Sequence, residues 1–356
     1  MDAKAQLHSF KEILDDELKL YFDKKIEDAY HTSPIAEELI NRISELTLRG
    51  GKRIRAALLY HSYLAHGGNN KTAAIKAAMA MELSETFLLI HDDIMDNSDL
   101  RRGGLTIHAS YRETNKDRIK SPSSLKNFSD SVALNAGDTA CAMSYEIIST
   151  ADFEPRFIAR ALAELSRVYI LETYGQTLDM VLQYRDQVTT HDALLVQELK
   201  TVPYTFDGPL KIGAILAGAD DDSVALLSEY SVPLGVAFQI QDDILGMYGT
   251  EEKLGKPVTS DLREGKKTLL ILDALEKANG KQRDIIEKSL GNPKATFSDL
   301  ENVRKVLEET GSLNQSKELA SRLVQRSLNV INQLRLKNEG KEFLVGITEY
   351  MINREY

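Results

Sequence analysis

The sequence predicts an all-α fold, in which a single-domain bundle of long helices surrounds a central cavity. Apolar residues recur at helical spacing along almost the whole 356-residue chain, whereas alternating runs of β-branched residues are nearly absent. Several periodic segments are longer than about twenty residues, a length typical of helix bundles. No segment rich in Pro, Gly and Ser divides residues 1–356, so one domain is expected.

The elements follow from where the apolar periodicity starts and stops. Short runs at 67–70 and 218–221 are typical of loops, and Gly311 fits a helix C-cap. The polar, Ser-rich segment 112–130 is predicted to be a mobile connection, with a lid over a binding site as the less favoured hypothesis. The connection 249–267 carries lysines and acidic residues that favour a functional loop. Helices are predicted at 5–28, 34–47, 54–66, 72–97, 131–149, 155–184, 192–217, 222–247, 267–278, 297–310, 313–336 and 341–352.

Composition restricts the class of protein. Hydrophobic residues make up 42% of the chain, enough for a large core. The net charge of -10 argues against general nucleic-acid binding, which requires a basic face. Cys141 is the only cysteine, so an intramolecular disulfide is excluded and a cytoplasmic, reducing location is expected. Residues 1–30 lack an apolar signal-peptide core, and charges break the apolar stretches, so no transmembrane segment is expected.

Two aspartate clusters stand out, because neither fits an ordinary core. Asp92 and Asp96 lie four residues apart on a predicted helix, so their carboxylates share one face and repel each other unless a cation lies between them. Carboxylate oxygens suit Mg2+, which usually completes its coordination with water and substrate phosphates. The first cluster therefore predicts a divalent metal and a phosphate-bearing ligand.

The second cluster, Asp242 and Asp243, follows a similar apolar helical run. If both clusters lie near the ends of their helices, the negative ends of the helix dipoles favour bound cations there. The two helices are expected to face each other across one cavity, with the first cluster and Asp242 sharing a group of metal ions. Basic residues at 52–55 and 101–102 are concentrated in an otherwise acidic chain and are expected to clamp a diphosphate.

The order of these motifs makes the chain resemble the trans-isoprenyl diphosphate synthases, the polyprenyl synthetase family. The resemblance covers about 50–268 and implies the isoprenoid synthase fold, a Mg2+-dependent prenyl transfer and a homodimer. One such motif would be weak support, but an ordered series is specific. The motif residues are 51–55, 92–96, 101–103, 137–138, 175–179, 200–201, 238–243 and 255–256.

The resemblance implies a role for each acidic residue. Asp92, Asp96 and Asp242 would hold three Mg2+ ions on an allylic diphosphate. Asp93 and Asp243 would contact these ligands from behind rather than bind the metal themselves.

The resemblance also assigns the basic and polar residues. The allylic diphosphate would be bound by Arg101, Lys200, Lys256 and Lys266. Isopentenyl diphosphate would be bound by Lys52, Arg55 and Arg102. The developing allylic cation would meet oxygens presented by Thr201 and Gln239.

The chemistry of prenyl transfer fits these residues. Breaking the allylic C–O bond creates a carbocation and a highly charged diphosphate, which metal ions and basic side chains stabilise. The isopentenyl double bond then attacks the allylic carbon, and proton loss gives an allylic product longer by five carbons. In the family the departing diphosphate accepts this proton, which fits the absence of an obvious general base in the motifs. Orienting both substrates contributes roughly 7–11 kcal/mol.

Pro203 lies three residues after Lys200, within a predicted helix. A proline there either kinks the helix, freeing backbone carbonyls beside Thr201 to face a cation, or marks a plain helix boundary. The sequence favours neither interpretation.

The chain departs from the family pattern at two positions. Glu85 stands seven residues before Asp92, where the family commonly has His or Gln as a further isopentenyl diphosphate contact. A carboxylate repels a diphosphate unless it is paired or protonated, which puts this contact in doubt. Gly246 replaces the last aspartate of the second motif, a common family variant.

Product length in the family depends on residues four and five positions before the first motif, here Leu88 and Phe87. Phe87 lies about one helical turn before Asp92, so its ring is expected to floor the cavity that receives the growing chain. This pattern predicts a geranylgeranyl product, with farnesyl as the alternative. Phe87 as plain core packing remains open, since aromatic residues on apolar faces are usually core.

Three other functions fit these residues less well. A terpene cyclase would carry Asn, Ser and Glu in its second metal motif, and would have no second diphosphate for Lys52 and Arg55. An all-α phosphohydrolase, which His91 and Asp92 imitate, would need further clustered histidines. A non-catalytic regulatory subunit would lack one aspartate motif, whereas this chain keeps both.

Overall fold

The computed structural model describes residues 2–185, 187–250 and 257–352. Within these ranges the chain is helical except for turns and one two-stranded antiparallel hairpin, which confirms the predicted all-α class. The elements are α1 Ala3–Tyr30, α2 Pro34–Leu48, α3 Ile54–Ala65, α4 Lys71–Met95, β1 Leu100–Arg101, β2 Gly104–Leu105, α5 Ile107–Asn115, α6 Pro122–Ser149, α7 Pro155–Gln183, α8 Thr190–Val196, α9 Gly208–Leu216, α10 Asp221–Tyr248, α11 Ser260–Glu264, α12 Leu269–Lys277, α13 Gly280–Ser289, α14 Phe297–Glu309, α15 Ser312–Gln333 and α16 Asn338–Ile352.

The chain forms two compact units. Unit 1 contains residues 1–165, 211–219 and 337–340, and unit 2 contains the remainder. The prediction of a single domain therefore stays a prediction.

Small residues allow the central helices of unit 1 to pack closely. α4 lies along α6, and both helices contain fully buried alanines, including Ala77, Ala80, Ala136 and Ala140. A Cβ added at Gly137 of α6 would lie 2.2 Å from the His91 ring of α4. The absence of a side chain at Gly137 therefore positions His91, directly before the first aspartate cluster.

α10 forms the centre of unit 2 and packs along α15. Its residues Val236, Ile240 and Ile244 are almost completely buried in one apolar cluster with side chains of the later helices, including Leu300 and Val303. Burying such side chains contributes roughly 1.5–3 kcal/mol each. The second aspartate cluster thus lies on a helix fixed by a large core.

The predicted helices agree with the structure except in polar segments, where helices were not predicted. The segment 112–130, predicted as a mobile loop, is mostly helix, because α5 extends to Asn115 and α6 already begins at Pro122. Pro122 fits the first turn of a helix, and the Ser121 hydroxyl accepts from the Ser124 amide. The helices α5, α11 and α13 were also missed, since each is short or strongly polar.

The predicted helix 192–217 is continuous but irregular. It contains two π-helical turns, Gln197–Thr201 and Pro203–Asp207, on either side of Val202. The interpretation of Pro203 as a helix boundary is therefore wrong. The proline, which cannot donate a backbone hydrogen bond, is instead accommodated at the start of the second π-helical turn.

Among the described residues, one helix is long and apolar enough to cross a membrane when judged by length and composition alone. This helix is α10, whose most apolar window has a mean hydropathy of 1.2 and is half buried inside the protein. Core helices of soluble proteins commonly meet the same criterion, so the observation is weak support for a membrane span.

Candidate active site

The first aspartate cluster forms the last turn of α4. Asp92 is half-buried and Asp96 is exposed, whereas Asp93, which points to the other side, is only 1% exposed. Asp96 is the C-cap, and Asn97 adopts a left-handed φ of 50° that ends the helix. The two outward carboxylates therefore lie at the negative end of the helix dipole, which favours a bound cation there.

Arg101 joins the cluster from the hairpin. Its Nε donates to Asp93 Oδ1 over 2.8 Å, and its Nη2 lies 3.5 Å from Asp92 Oδ2. Burial raises the pKa of Asp93 to about 6, although the Arg101 guanidinium acts in the opposite direction. Asp93 therefore anchors Arg101 beside the outward carboxylates, where the cation can meet an anionic ligand.

The hairpin itself is tightly held. Its turn residues Arg102 and Gly103 have φ values of 52° and 74°, the left-handed pair expected of a tight two-residue turn. Arg49, the C-cap residue of α2, donates to the backbone carbonyls of Arg101 over 3.1 Å and of Leu105 over 3.0 Å. Arg49, which the sequence did not single out, thus fixes the loop that carries Arg101 and Arg102.

Arg102 and Arg55 converge on Glu85. A single carboxylate oxygen, Glu85 Oε1, accepts from Arg102 Nη2 over 2.9 Å and lies 3.0 Å from Arg55 Nη1. Burial acts to raise the pKa of Glu85, but Arg55 and Arg102 hold it below its usual range. The structure therefore brings together two of the three residues predicted to bind isopentenyl diphosphate. Lys52, the third, is exposed.

Arg53, between these basic residues in sequence, has a different environment. It is 2% exposed, and its guanidinium donates to Asp15 and Glu82, each over 2.7 Å, and to the Thr47 carbonyl. Arg53 is a structural residue of the unit 1 core.

In unit 2, Asp243 is held by two amides. Gln239 Nε2 donates to Oδ1 over 2.9 Å and Gln197 Nε2 donates to Oδ2 over 3.1 Å. Burial, with Asp261 and Asp242 nearby, raises the pKa of Asp243 to about 7 despite the Gln239 bond. Asp242 and Asp243 are both half-buried. The two amides therefore fix the Asp243 carboxylate directly beside Asp242.

Thr201 and Gln239, both predicted to face a cation, are hydrogen-bonded to each other. The Thr201 hydroxyl donates to Gln239 Oε1 over 3.1 Å. Thr201 closes the first π-helical turn, and such turns are frequent at functional sites. A chain of bonds therefore runs from this turn through Gln239 to Asp243.

Lys200 is positioned by α7. Its ammonium donates to Asp179 Oδ2 over 2.9 Å. A Cβ at Gly175, one helical turn before Asp179, would lie 2.3 Å from the Lys200 backbone nitrogen. Gly175 therefore permits the close helix contact that allows Asp179 to reach Lys200.

Asp261 fills the space that the missing aspartate of the second motif leaves. A Cβ built on Gly246 would lie 1.9 Å from Asp261 Oδ2. Lys266 lies 3.5 Å from Asp261 Oδ1 and 3.1 Å from Glu264 Oε2, and Asp261 influences Asp243 electrostatically. Asp261 was not predicted as a site residue, since nothing in the sequence relates it to position 246. Lys256 lies outside the described residues.

The proposed chain-length residues differ in exposure. Leu88 is 8% exposed, whereas Phe87 is half-buried and meets the His91 ring edge-on at a centroid distance of 5.3 Å. His91 Nε2 in turn lies 3.3 Å from the Leu134 carbonyl of α6. Phe87 thus packs against a fixed ring rather than within the deepest core.

The described residues contain no group of three or more His, Cys, Asp or Glu side chains arranged to hold a metal ion. Asp92 and Asp96 nevertheless fit Mg2+, because this ion often uses one or two carboxylates and takes its other ligands from water and phosphate. Their accessible oxygen donors, with Arg101 beside them, suit a metal ion that arrives with a diphosphate.

Comparison with known proteins points to one family. The family model described as polyprenyl synthetase matches residues 37–309. The chain is 38% identical to a geranylgeranyl diphosphate synthase of Methanosarcina mazei, over 90% of this chain and 91% of that protein. It is 34% identical to a geranylfarnesyl diphosphate synthase of Aeropyrum pernix, over 86% and 91% respectively.

A solved structure shows the same similarity. The crystal structure of a geranylgeranyl pyrophosphate synthase from Corynebacterium glutamicum, complexed with isoprenyl diphosphate and magnesium, matches with a TM-score of 0.90 and 27% identity. The match covers 98% of this chain and 99% of that one.

Proposed function

Because the chain belongs to the polyprenyl synthetase family, we propose that it is a trans-prenyltransferase that condenses isopentenyl diphosphate with an allylic diphosphate in the presence of Mg2+. The observation that carries the proposal is the end of α4, where two outward carboxylates lie beside Arg101. Such a face suits a metal ion and a diphosphate together. When bound, Mg2+ supplies positive charge that stabilises the departing diphosphate.

Within unit 1, Asp92 and Asp96 would hold Mg2+, and Arg101 would bind the allylic diphosphate. Arg55 and Arg102, with the exposed Lys52, would bind isopentenyl diphosphate. The guanidiniums of Arg55 and Arg102 already meet one carboxylate, which supports an oxyanion-binding role for the pair.

Within unit 2, Asp242 would provide a further metal ligand, and Lys200, Lys256 and Lys266 would bind the allylic diphosphate. The number of Mg2+ ions proposed is three. Asp179 holds the Lys200 ammonium, so this cation is oriented before substrate binds.

Thr201 and Gln239 would orient oxygen atoms toward the allylic carbon as the C–O bond breaks. In their mutual hydrogen bond Thr201 donates, so the lone pairs of its hydroxyl oxygen remain available to a cation. The departing diphosphate takes the proton that the new product loses, so no side chain is required as a general base.

The proposed product is geranylgeranyl diphosphate. Phe87 supports this length, because its aromatic ring is half-buried and packs edge-on against His91, just before the first aspartate cluster. Geranylfarnesyl diphosphate is the second candidate, since the relative from Aeropyrum pernix makes the longer product according to its name. Farnesyl diphosphate is the shorter alternative.

A homodimer in the cytoplasm is the proposed state of the enzyme. In unit 2, α7 exposes Ile170 by 51%, Tyr174 by 59% and Val181 by 44%, an apolar stripe suited to a protein partner. The single cysteine, Cys141, fits a reducing compartment. Light scattering of the purified protein tests the dimer.

The proposed function is tested by incubating the protein with Mg2+, labelled isopentenyl diphosphate and dimethylallyl, geranyl or farnesyl diphosphate. Products are separated by chain length after phosphatase treatment. We expect geranylgeranyl product that disappears on chelation with EDTA. A folded protein that elongates none of the three starters contradicts the proposal.

Two variants test the role of the two outward carboxylates at the end of α4. Asp92→Asn and Asp96→Asn each remove a proposed metal ligand, and we expect kcat to fall by at least about a hundredfold. Glu38→Gln, which removes an exposed carboxylate elsewhere in unit 1, serves as the charge control and should retain activity. Full activity of both aspartate variants would contradict the assigned role.

A further inference from the structure

We propose that Glu85 sets the affinity for isopentenyl diphosphate, because it occupies the two arginines that would bind this substrate. The inference rests on the proposed function. It goes beyond that function by assigning to a carboxylate the task of weakening one substrate subsite.

The carboxylate lies at the centre of the arginine pair. Glu85 on α4 meets Arg55 of α3 at 3.0 Å and Arg102 of the hairpin at 2.9 Å, through the same oxygen atom. The side chains of Glu85, Arg55 and Arg102 are only 15%, 16% and 21% exposed. Three separate elements therefore converge on one largely dry ionic contact.

Glu85 is the carboxylate that contacts both arginines, whereas Glu82 and Asp15 each pair with Arg53 at 2.7 Å. Arg55, Arg102 and Glu85 together carry one net positive charge. Without the charge on Glu85 they would carry two.

A diphosphate and Glu85 would accept hydrogen bonds from the same N–H groups of Arg55 and Arg102. Both are oxyanions, and guanidinium N–H groups bind either one through charge-assisted hydrogen bonds. An incoming diphosphate must share these N–H groups with Glu85 or displace it, and it is also repelled by the carboxylate. Glu85 thus acts as an internal competitor for the diphosphate.

The same contact holds the two arginines together. Two guanidiniums close to one another repel, and Glu85 offsets this repulsion. Arg102 is further restrained by its bond to the Gly50 carbonyl at 2.9 Å. A variant that keeps an acceptor oxygen but removes the charge therefore separates competition from positioning.

Glu85→Gln is that variant. We expect the KM for isopentenyl diphosphate to fall on the order of tenfold, because one opposing charge is removed from the subsite. kcat and the KM for the allylic substrate should change less than about twofold. Glu85→Asp, which keeps the charge, should not lower the KM for isopentenyl diphosphate.

Glu38→Gln is the matched control. It also takes a carboxylate from an arginine of unit 1, since Glu38 pairs with Arg42 at 2.6 Å, and Arg42 has no part in the proposed substrate sites. Its KM values should equal those of the wild type. An equal fall in KM for this control would show a general charge effect and overturn the inference.

Binding without turnover gives a second measurement. Isothermal titration of the protein with isopentenyl diphosphate, in the absence of an allylic substrate, should show tighter binding for Glu85→Gln than for wild type. Unchanged or weaker binding, with an unchanged or higher KM, overturns the inference and makes Glu85 a positioning residue. If the wild type elongates no starter, the proposed function fails; if only the variant behaves otherwise than expected, this inference alone fails.

Discussion

Asp261 lies directly over Gly246, so that its carboxylate occupies the space where a side chain at position 246 would begin. An added Cβ would lie 1.9 Å from Asp261 Oδ2. The missing acidic residue of the second motif is therefore compensated in space by an aspartate fifteen positions later in the chain. The same carboxylate lies near Lys266, one of the cations assigned to the allylic diphosphate.

Gly246→Ala should lower the free energy of unfolding by roughly 1–3 kcal/mol, because the Asp261 carboxylate must move away from its place beside Lys266. Denaturation by urea measures the loss. In the double variant with Asp261→Ala, the added methyl group should cost much less than it does in the wild-type background. Additive losses would show that the two positions do not interact.

Gly175→Ala should be more damaging, since the obstacle is the Lys200 backbone rather than a side chain that can turn away. We expect a loss of roughly 2–4 kcal/mol in unfolding free energy and a lower kcat in the surviving fold. Gly280→Ala is the control, because nothing lies within 4 Å of its added Cβ and its φ is ordinary. It should be neutral or slightly stabilising. Equal stability of the two variants would contradict the close contact.

Phe87→Ala should lengthen the product, because the ring proposed as the cavity floor is removed. The measurement is product separation by chain length with farnesyl diphosphate as starter. Ile90→Val, a small change at a residue only 2% exposed on the same helix, controls for loss of core packing and should leave product length unchanged. An unchanged product length in Phe87→Ala would show that Phe87 does not limit chain growth and only contributes to core packing.

His61 makes the stability of the protein sensitive to acid. Burial lowers the pKa of this imidazole to about 3, compared with 6.5 when exposed. Protonation therefore favours the unfolded chain, so the stabilising contribution is complete above pH 6.5 and is lost as pH falls toward 3. Lowering the pH from 7 to 5 should therefore reduce the free energy of unfolding by about 2 kcal/mol through this single group.

His61→Gln tests that dependence. The variant has no titrating ring, so the difference in its unfolding free energy between pH 7 and pH 5 should be smaller than that of wild type by about 2 kcal/mol. Urea titrations at both pH values give the comparison. Parallel pH dependences of the two proteins would show that His61 does not remain neutral in the fold.

The sequence predicted most of the fold, because apolar residues recur at helical spacing along each long amphipathic helix. α4 and α10 were located within a few residues by this signal. The segment 112–130 was misread, because its polar residues lie on helices whose start depends on Pro122 and the Ser121 cap rather than on apolar periodicity. Helix capping is a local signal, which short polar helices make easy to overlook.

Site residues with motif spacing were easier to find than the residues that hold them. The outward Asp92 and the inward Asp93 follow from helical geometry alone. Arg49, Gln197 and Asp261 could not be predicted, since each reaches the site through a contact between distant segments. Sequence periodicity carries no information about such contacts until the chain is folded.

The π-helical turns around Val202 change how the chain tolerates deletion. Each turn closes its hydrogen bond over one more residue than an α-helical turn does, as from Val202 back to Gln197 and from Gly208 back to Pro203. Removing one residue from an ordinary α-helix rotates everything after it by about 100°. Removing one residue from a π-helical turn instead lets the backbone relax to regular α-helix. The side chains that follow the deletion then keep their orientation and their packing contacts. The π-helical turns beside Lys200 and Thr201 can therefore lose one residue, whereas the α-helical parts of the same helix cannot.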